Sequence, residues 1–255
     1  MSENKEHNCI SKDELLTRTK NNIEKFGLQV IMVDSTNYSP SFAYSIGLNA
    51  NYKHPEIICF GLPSDIGHTI INDVADLIKN GEIIKANKNY DNIFKNSRAE
   101  FLQVDKTNIS DYFGAAINYY DTKDFPALQL VWTDRNDKFP WENNFEEKFL
   151  YDQPLLDRNT DFKFREPKNL GAFTTRQWLD LGRPILRVVH DEDGDWQFLT
   201  DDQTLEDACI VALEQLVIKD KTLNEVFDLD YGQAADREFI GGQWTKTKVE
   251  YDNEK

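Results

Sequence analysis

Apolar positions along the chain fall into short clusters separated by polar turns, and their spacing switches between the periods of helix and strand. Residues 13–26 carry Leu15, Leu16, Ile23 and Phe26 on approximately one face, which predicts a helix, and Gly27 stands where a left-handed cap would end it. Residues 28–33 read as a strand. Residues 41–48 and 56–60 read as two more, joined by the polar turn 49–53 as a hairpin or a neighbouring pair. Pro63, Ser64 and Asp65 open a helix to about Asn80, with Ile66, Ile70, Ile71, Val74, Leu77 and Ile78 as its apolar stripe and Gly81 as its stop. Residues 82–85 and 99–104 are short strand candidates, and Asn108 is placed to cap a helix running through Tyr120. The strongly apolar run 127–132 predicts a central strand, followed by a polar turn at 135–138.

The pattern loosens after Trp141. Residues 142–180 are irregular, aromatic and charged, so a first domain is expected over 13–160 and a linker over 161–184. Residues 185–190 and 196–199 flank Asp191-Glu192-Asp193-Gly194-Asp195 and predict a hairpin. Thr204 and Asp207 have capping-box spacing and start a predicted helix with Leu205, Ala208, Cys209, Ala212, Leu213, Leu216 and Val217 as its stripe. Thr222 and Glu225 repeat that spacing for a short second helix. The ends, 1–12 and 249–255, are polar and expected to be disordered. The fold class expected is α+β: a mixed β-sheet domain with packed helices, then a small acidic α+β domain of hairpin plus helices over 185–248.

Composition supports a packed interior, with 40% hydrophobic and 12% aromatic residues. No apolar run is long enough for a membrane span, and the polar N-terminus has no secretory pattern. Cys9, Cys59 and Cys209 lack metal or redox spacing, which points to a reducing cytoplasm. The net charge of −16 is uneven. Residues 186–255 hold 18 Asp and Glu against 7 Lys and Arg, a net of −11, and the preceding residues 27 against 22, a net of −5. Such a surface repels phosphate backbones, so nucleic acid is not expected as a partner, and it favours a basic protein.

One set of blocks stands out: Phe42, Tyr44, Ile46, Gly47 and Leu48; His54, Pro55 and Glu56; Gly61 and Leu62; Leu128, Gln129, Trp132 and Asp134; and Phe139, Pro140 and Trp141, with Gln153 beyond. In this order the blocks resemble the bacterial family called domain of unknown function 4262, over about residues 14–155. Ser45 stands where that pattern has Thr, Thr133 where it has Pro, and Asn136 and Asp137 replace a Gly-centred turn. The resemblance implies no particular activity. Residues 185–244 more loosely resemble a small acidic domain of uncharacterised bacterial proteins, some of which sit beside toxin genes as immunity proteins.

Candidate chemistry gathers in the same blocks. His54 and Glu56, two apart at a strand start, would share a sheet face, and Asp134 would join them if its strand were a neighbour. The three are the candidate catalytic residues, as general base and orienting carboxylates. Tyr44, Ser45 and Trp132 are candidate ligand-binding residues, by stacking and hydroxyl hydrogen bonds. The competing reading makes them capping and core residues. Asp191, Asp193 and Asp195 have the opening spacing of a calcium loop, but the Gly falls at the wrong position and strands flank it, so a hairpin turn explains them. No metal and no cofactor is expected. The leading functional expectation is a cytoplasmic, non-enzymatic binding protein, immunity-like, that contacts a basic partner through its acidic C-terminal domain. The alternative is a small-molecule-binding protein or hydrolase-type enzyme with a site around His54, Glu56 and Asp134.

Overall fold

The computed structural model describes residues 12–36, 39–158 and 161–249, and the polar ends lie almost wholly outside them. The chain is α+β and forms two compact units, one centred on residues 40–158 and including the segment up to Asp34, the other on residues 161–249. Among the described residues no helix is long and apolar enough to cross a membrane.

The first unit opens with α1 (Lys12–Phe26), β1 (Gln29–Val33), β2 (Phe42–Ile46), α2 (Leu48–Tyr52), β3 (Glu56–Phe60) and α3 (Ser64–Lys79). It continues with β4 (Asn89–Phe94), β5 (Ser97–Gln103), α4 (Ile109–Tyr112), α5 (Gly114–Tyr120) and β6 (Ala127–Trp132). The six strands form one sheet in the order β1-β2-β3-β6-β5-β4. Only β3 and β6 run parallel, and the long connection between them carries α3, the β4–β5 hairpin, α4 and α5. The sheet is covered on both faces. Ile70, Ile71, Val74 and Ala75 of α3 pack on Val30, Ala43, Ile57, Cys59, Leu128 and Leu130. On the other face Ile23 of α1, Ile109 and Phe113 pack on Tyr44, Ile46, Ile58 and Phe60. Each large apolar side chain so buried contributes roughly 1.5–3 kcal/mol, and double coverage explains why β3 is apolar at every position after Glu56.

Several local expectations give way to tertiary structure. The turn 49–53 is the one-turn helix α2, so β2 and β3 are antiparallel neighbours through a helical connection. Residues 82–85 form no strand. The hairpin partner of β5 is β4, whose irregular pattern comes from a shift in register between Tyr90 and Phe94. Asn108 does not cap a helix: its Nδ2 donates to Leu156 O at 3.1 Å, and Asp105 accepts the Thr107 N–H at 2.9 Å instead.

The second unit contains β7 (Gly171–Thr175), α6 (Arg176–Leu181), β8 (Arg187–His190), β9 (Trp196–Leu199), β10 (Ala208–Ala212), α7 (Leu213–Lys219), β11 (Gln233–Asp236) and β12 (Thr245–Lys248). Its sheet order is β10-β7-β9-β8-β11-β12. The segment 161–184 is therefore no linker, since it supplies a sheet strand and a helix. The long helix expected from Thr204 is also corrected. The Asp207 carboxylate accepts the Thr204 N–H at 2.7 Å, but only one 3-10 turn follows before the chain extends into β10 and pairs with β7. β-branched Ile210 and Val211 alternate across the sheet there, Ile210 outward and Val211 against the core, and this period of two overrides the helical spacing. Trp178, Val188, Trp196, Phe198, Leu213, Leu216 and Val217 form the core on the helix-covered face.

Candidate functional site

The β2–β3 ladder opens at one end. Its pairing runs from Phe42↔Phe60 to Tyr44↔Ile58, and beyond that Ser45 Oγ accepts the Ile57 N–H at 2.9 Å in place of a carbonyl. The same hydroxyl lies 2.5 Å from Glu56 Oε2. Glu56 Oε1 accepts the Gly47 and Asn49 N–H groups, each at 3.0 Å, and the Tyr120 hydroxyl at 2.5 Å. Glu56 is fully buried and caps the first turn of α2 from a neighbouring strand. Gly47 makes the approach possible: its φ is 113°, and a Cβ there would come within 2.9 Å of Gly27 O. Burial raises the Glu56 pKa above its ordinary value, and the Asn49, Ser45, Tyr120 and Gly47 hydrogen bonds oppose the rise without cancelling it. No cation pairs with this carboxylate among the described residues. The same cause, burial, with the Glu56 charge and hydrogen bond behind it, raises the Tyr120 hydroxyl.

His54 and Glu56 do not share a face, because His54 and Pro55 precede the strand and do not follow its pleat. His54 Nε2 accepts the Ile84 N–H at 3.2 Å, which leaves Nδ1 to donate to Pro55 O at 2.8 Å. Both ring nitrogens are therefore occupied by backbone groups.

Asp134 is separated from Glu56 by strand direction. β6 is the neighbour of β3, but the parallel register sets Glu56 beside Ala127, seven residues before Asp134. At about 3.3 Å per residue, the two carboxylates belong to opposite ends of the sheet, roughly 20 Å apart. Asp134 instead accepts the N–H groups of Asn136 at 2.8 Å and of Lys138 and Glu146 at 2.9 Å, organising the loop after β6. Desolvation works against its charge, but these donors and the charge of Lys138 outweigh it, so its pKa is lowered.

The ligand-binding candidates are also dispersed. Tyr44 is buried, its hydroxyl accepts the Ala115 N–H at 3.1 Å, and burial pushes its pKa up to about 12. Trp132 donates Nε1 to Phe60 O at 2.8 Å. Of the candidate residues, Ser45 and Glu56 touch; the others hold separate parts of the scaffold.

Two buried glutamines stand behind the late part of the motif. Gln129 on β6 donates to Pro154 O and accepts the Leu156 N–H, both at 2.8 Å. Gln153 accepts the Trp132 N–H at 2.9 Å and donates to Trp132 O at 3.0 Å. Each amide imitates a strand backbone, and the pair clasps the irregular segment around 153–156 to β6. Among the described residues no three His, Cys, Asp or Glu side chains are grouped to hold a metal.

The second unit carries an open groove of about 650 Å³ on the face of its sheet opposite the core. Phe173, Leu199 and Ala208 supply apolar lining, and Gln197, Asp191 and Asp195 supply polar lining. These positions alternate with the core-facing Ala172, Trp196 and Phe198. Asp191 is held by its hairpin: Oδ1 accepts the Asp193 and Asp195 N–H groups at 3.1 and 2.9 Å, and Oδ2 accepts Gln197 Nε2 at 3.1 Å. This is the turn expected for the acidic run. The Asp195 carboxylate is exposed and has no hydrogen-bond or ion-pair partner among the described residues. Reading 161–184 as a linker hid Phe173 and Thr174. The sequence does hold a signal for the groove: residues 188–218 contain nine Asp and Glu and no Lys or Arg.

A six-stranded mixed sheet with helices on both faces defines the first unit as an α+β domain. Residues 22–146 match the family model described as Domain of unknown function (DUF4262), in line with the resemblance of the first-unit blocks. The match ends before Gln153 and before the second unit. No curated protein and no solved structure matches the chain.

Proposed function

We propose that the chain is a binding protein whose second unit holds a basic partner in the groove on its sheet. The observation that carries the reading is the combination of an apolar floor, Phe173 and Leu199, with the exposed, unpaired Asp195 at its edge. A Lys or Arg side chain suits both: its methylene stem covers apolar surface while its charge meets the carboxylate. Each such exposed pair contributes on the order of 0.2–1 kcal/mol, so affinity depends on several contacts. The net of −11 over residues 186–255 adds long-range attraction that speeds the encounter. In this reading the chain is a bacterial cytoplasmic protein, and its particular form is immunity-like, with a basic toxin as the partner. A small-molecule or hydrolase site has less support, because His54, Glu56 and Asp134 spend their polar atoms on separate scaffold contacts.

The reading is tested by capturing proteins from a bacterial lysate at low salt on the full chain and, in parallel, on the D191N/D195N double variant. The expected result is retention of a basic protein by the former and its loss on the latter. Equal retention on both, or retention of acidic proteins only, removes the groove from the account.

A further inference from the structure

The two edges of the second sheet are built differently. β12 is exposed at every position and carries Lys246 and Lys248, the usual protection of an edge against further pairing. β10, Ala208-Cys209-Ile210-Val211-Ala212, has no charge and no proline, and Ile210 is 63% exposed. Its backbone is open on one side. Leu213 N–H donates to Leu170 O at 2.9 Å, in line with the β10–β7 register. From that bond the antiparallel alternation turns the N–H and C=O groups of Val211 and Cys209 toward β7 and those of Ala212, Ile210 and Ala208 away from it. Gln215 Oε1 takes the Ala212 N–H at 3.2 Å. The outward N–H and C=O of Ile210 have no partner among the described residues.

This edge borders the acidic groove. Ile210 stands opposite Phe173 in the register, and Ala208 and Phe173 both line the groove. A strand added along β10 would therefore project alternate side chains over Ile210 and Ala208, at the rim of the groove that Phe173 also lines. We propose that the basic partner docks by β-strand addition: an extended segment of about five residues pairs with β10 through Ile210, with Lys or Arg at alternate positions reaching the groove. The proposal rests on the binding reading above and adds the backbone pairing to it. Charge selects the occupant, since residues 188–218 carry nine carboxylates and no Lys or Arg.

The probe is a fluorescent octapeptide of alternating Lys and Val, compared with the same peptide N-methylated at four consecutive central residues so that neither backbone edge can pair. Binding to the full chain is followed by anisotropy. The expected results are at least about tenfold weaker binding for the methylated peptide and a similar loss for Ile210→Pro, which removes an outward N–H that β7 does not use. Ile210→Thr, which keeps the backbone donor, is expected to lose less than Ile210→Pro. Because the methylated peptide leaves the protein unchanged, the comparison holds even where Ile210→Pro folds poorly. Equal binding of both peptides, with loss on D191N/D195N, overturns strand addition and leaves the groove reading intact. No binding of either peptide, or binding indifferent to D191N/D195N, overturns both. Concentration-dependent self-association abolished by Ile210→Pro, without peptide binding, would assign the edge to a second copy of this chain and overturn the basic-segment proposal.

Discussion

Replacing Glu56 by Gln or by Ala separates a charge requirement from a hydrogen-bond requirement at the buried end of β2 and β3. Burial holds the carboxyl neutral to higher pH than an exposed glutamate. A proton on Oε2 can be donated to Ser45 Oγ, 2.5 Å away, while Oε1 keeps its three donors from Gly47, Asn49 and Tyr120. Gln reproduces that arrangement, with Nε2 donating to Ser45, so Glu56→Gln is expected to change stability near neutral pH by about 1 kcal/mol or less. Glu56→Ala removes the acceptor for the Asn49 N–H and for the Tyr120 hydroxyl and opens a cavity. At about 1–3 kcal/mol for each buried group left unmatched, the loss is about 3–5 kcal/mol.

The pH dependence has a definite sign. The folded chain binds the Glu56 proton more tightly than the unfolded chain, so this group's contribution to stability is full below the ordinary glutamate range. It declines as pH rises from that range through the raised folded value. The wild type should therefore lose stability relative to Glu56→Gln across that interval. Native-state hydrogen exchange of first-unit amides, with and without urea, reads this unit separately from the second. If Gln proved as destabilising as Ala, or the wild type gained on Gln as pH rose, the network would require the ionised carboxylate and the reasoning would be wrong.

Three further outcomes follow from the same geometry. Gln129→Ala or Gln153→Ala unmatches backbone groups of the clasp, at a cost of about 2–3 kcal/mol, and limited proteolysis should then cut near 150–158, where the wild type resists. Gly47→Ala forces a Cβ against Gly27 O at positive φ and should cost about 1–3 kcal/mol, seen as a lower midpoint in urea. Arg237→Lys should cost about 3–5 kcal/mol in the second unit: the buried guanidinium donates twice to Ile185 O, binds Asp220 and Thr222, and stacks on Trp244 at 4.3 Å, a fork that an ammonium cannot match. Unchanged exchange of second-unit amides in that variant would count against it.

Much of the first unit was readable because its elements obey one local rule each. α3 shows an unbroken stripe ended by Gly81, and β6 is apolar at nearly every position because both of its faces are covered. The misreadings arose where two signals competed. In 204–217 a helical spacing of apolar residues coincided with an alternating one, and pairing with β7 decided for strand. The segment 161–184 looked irregular because Gly171–Thr175 is short and mixed in polarity, and only its neighbours make it a strand. The candidate site failed in part for a reason outside local pattern. Strand adjacency, which placed β6 beside β3, does not give strand direction, and direction sends Asp134 to the far end from Glu56. The Tyr120 contact to Glu56 spans 64 residues and leaves no mark in local sequence.

The central claim, that the acidic groove of the second unit takes a basic segment, is tested most directly by a salt series. The affinity of the alternating Lys–Val peptide is measured from about 0.02 to 0.5 M salt, over which the screening length falls from roughly 20 Å to under 5 Å, for the wild type and for D191N/D195N. The account predicts a steep loss of affinity with salt in the wild type, and both weaker binding and a shallower slope in the variant. Identical slopes and affinities for the two proteins, or an affinity indifferent to salt, would contradict it.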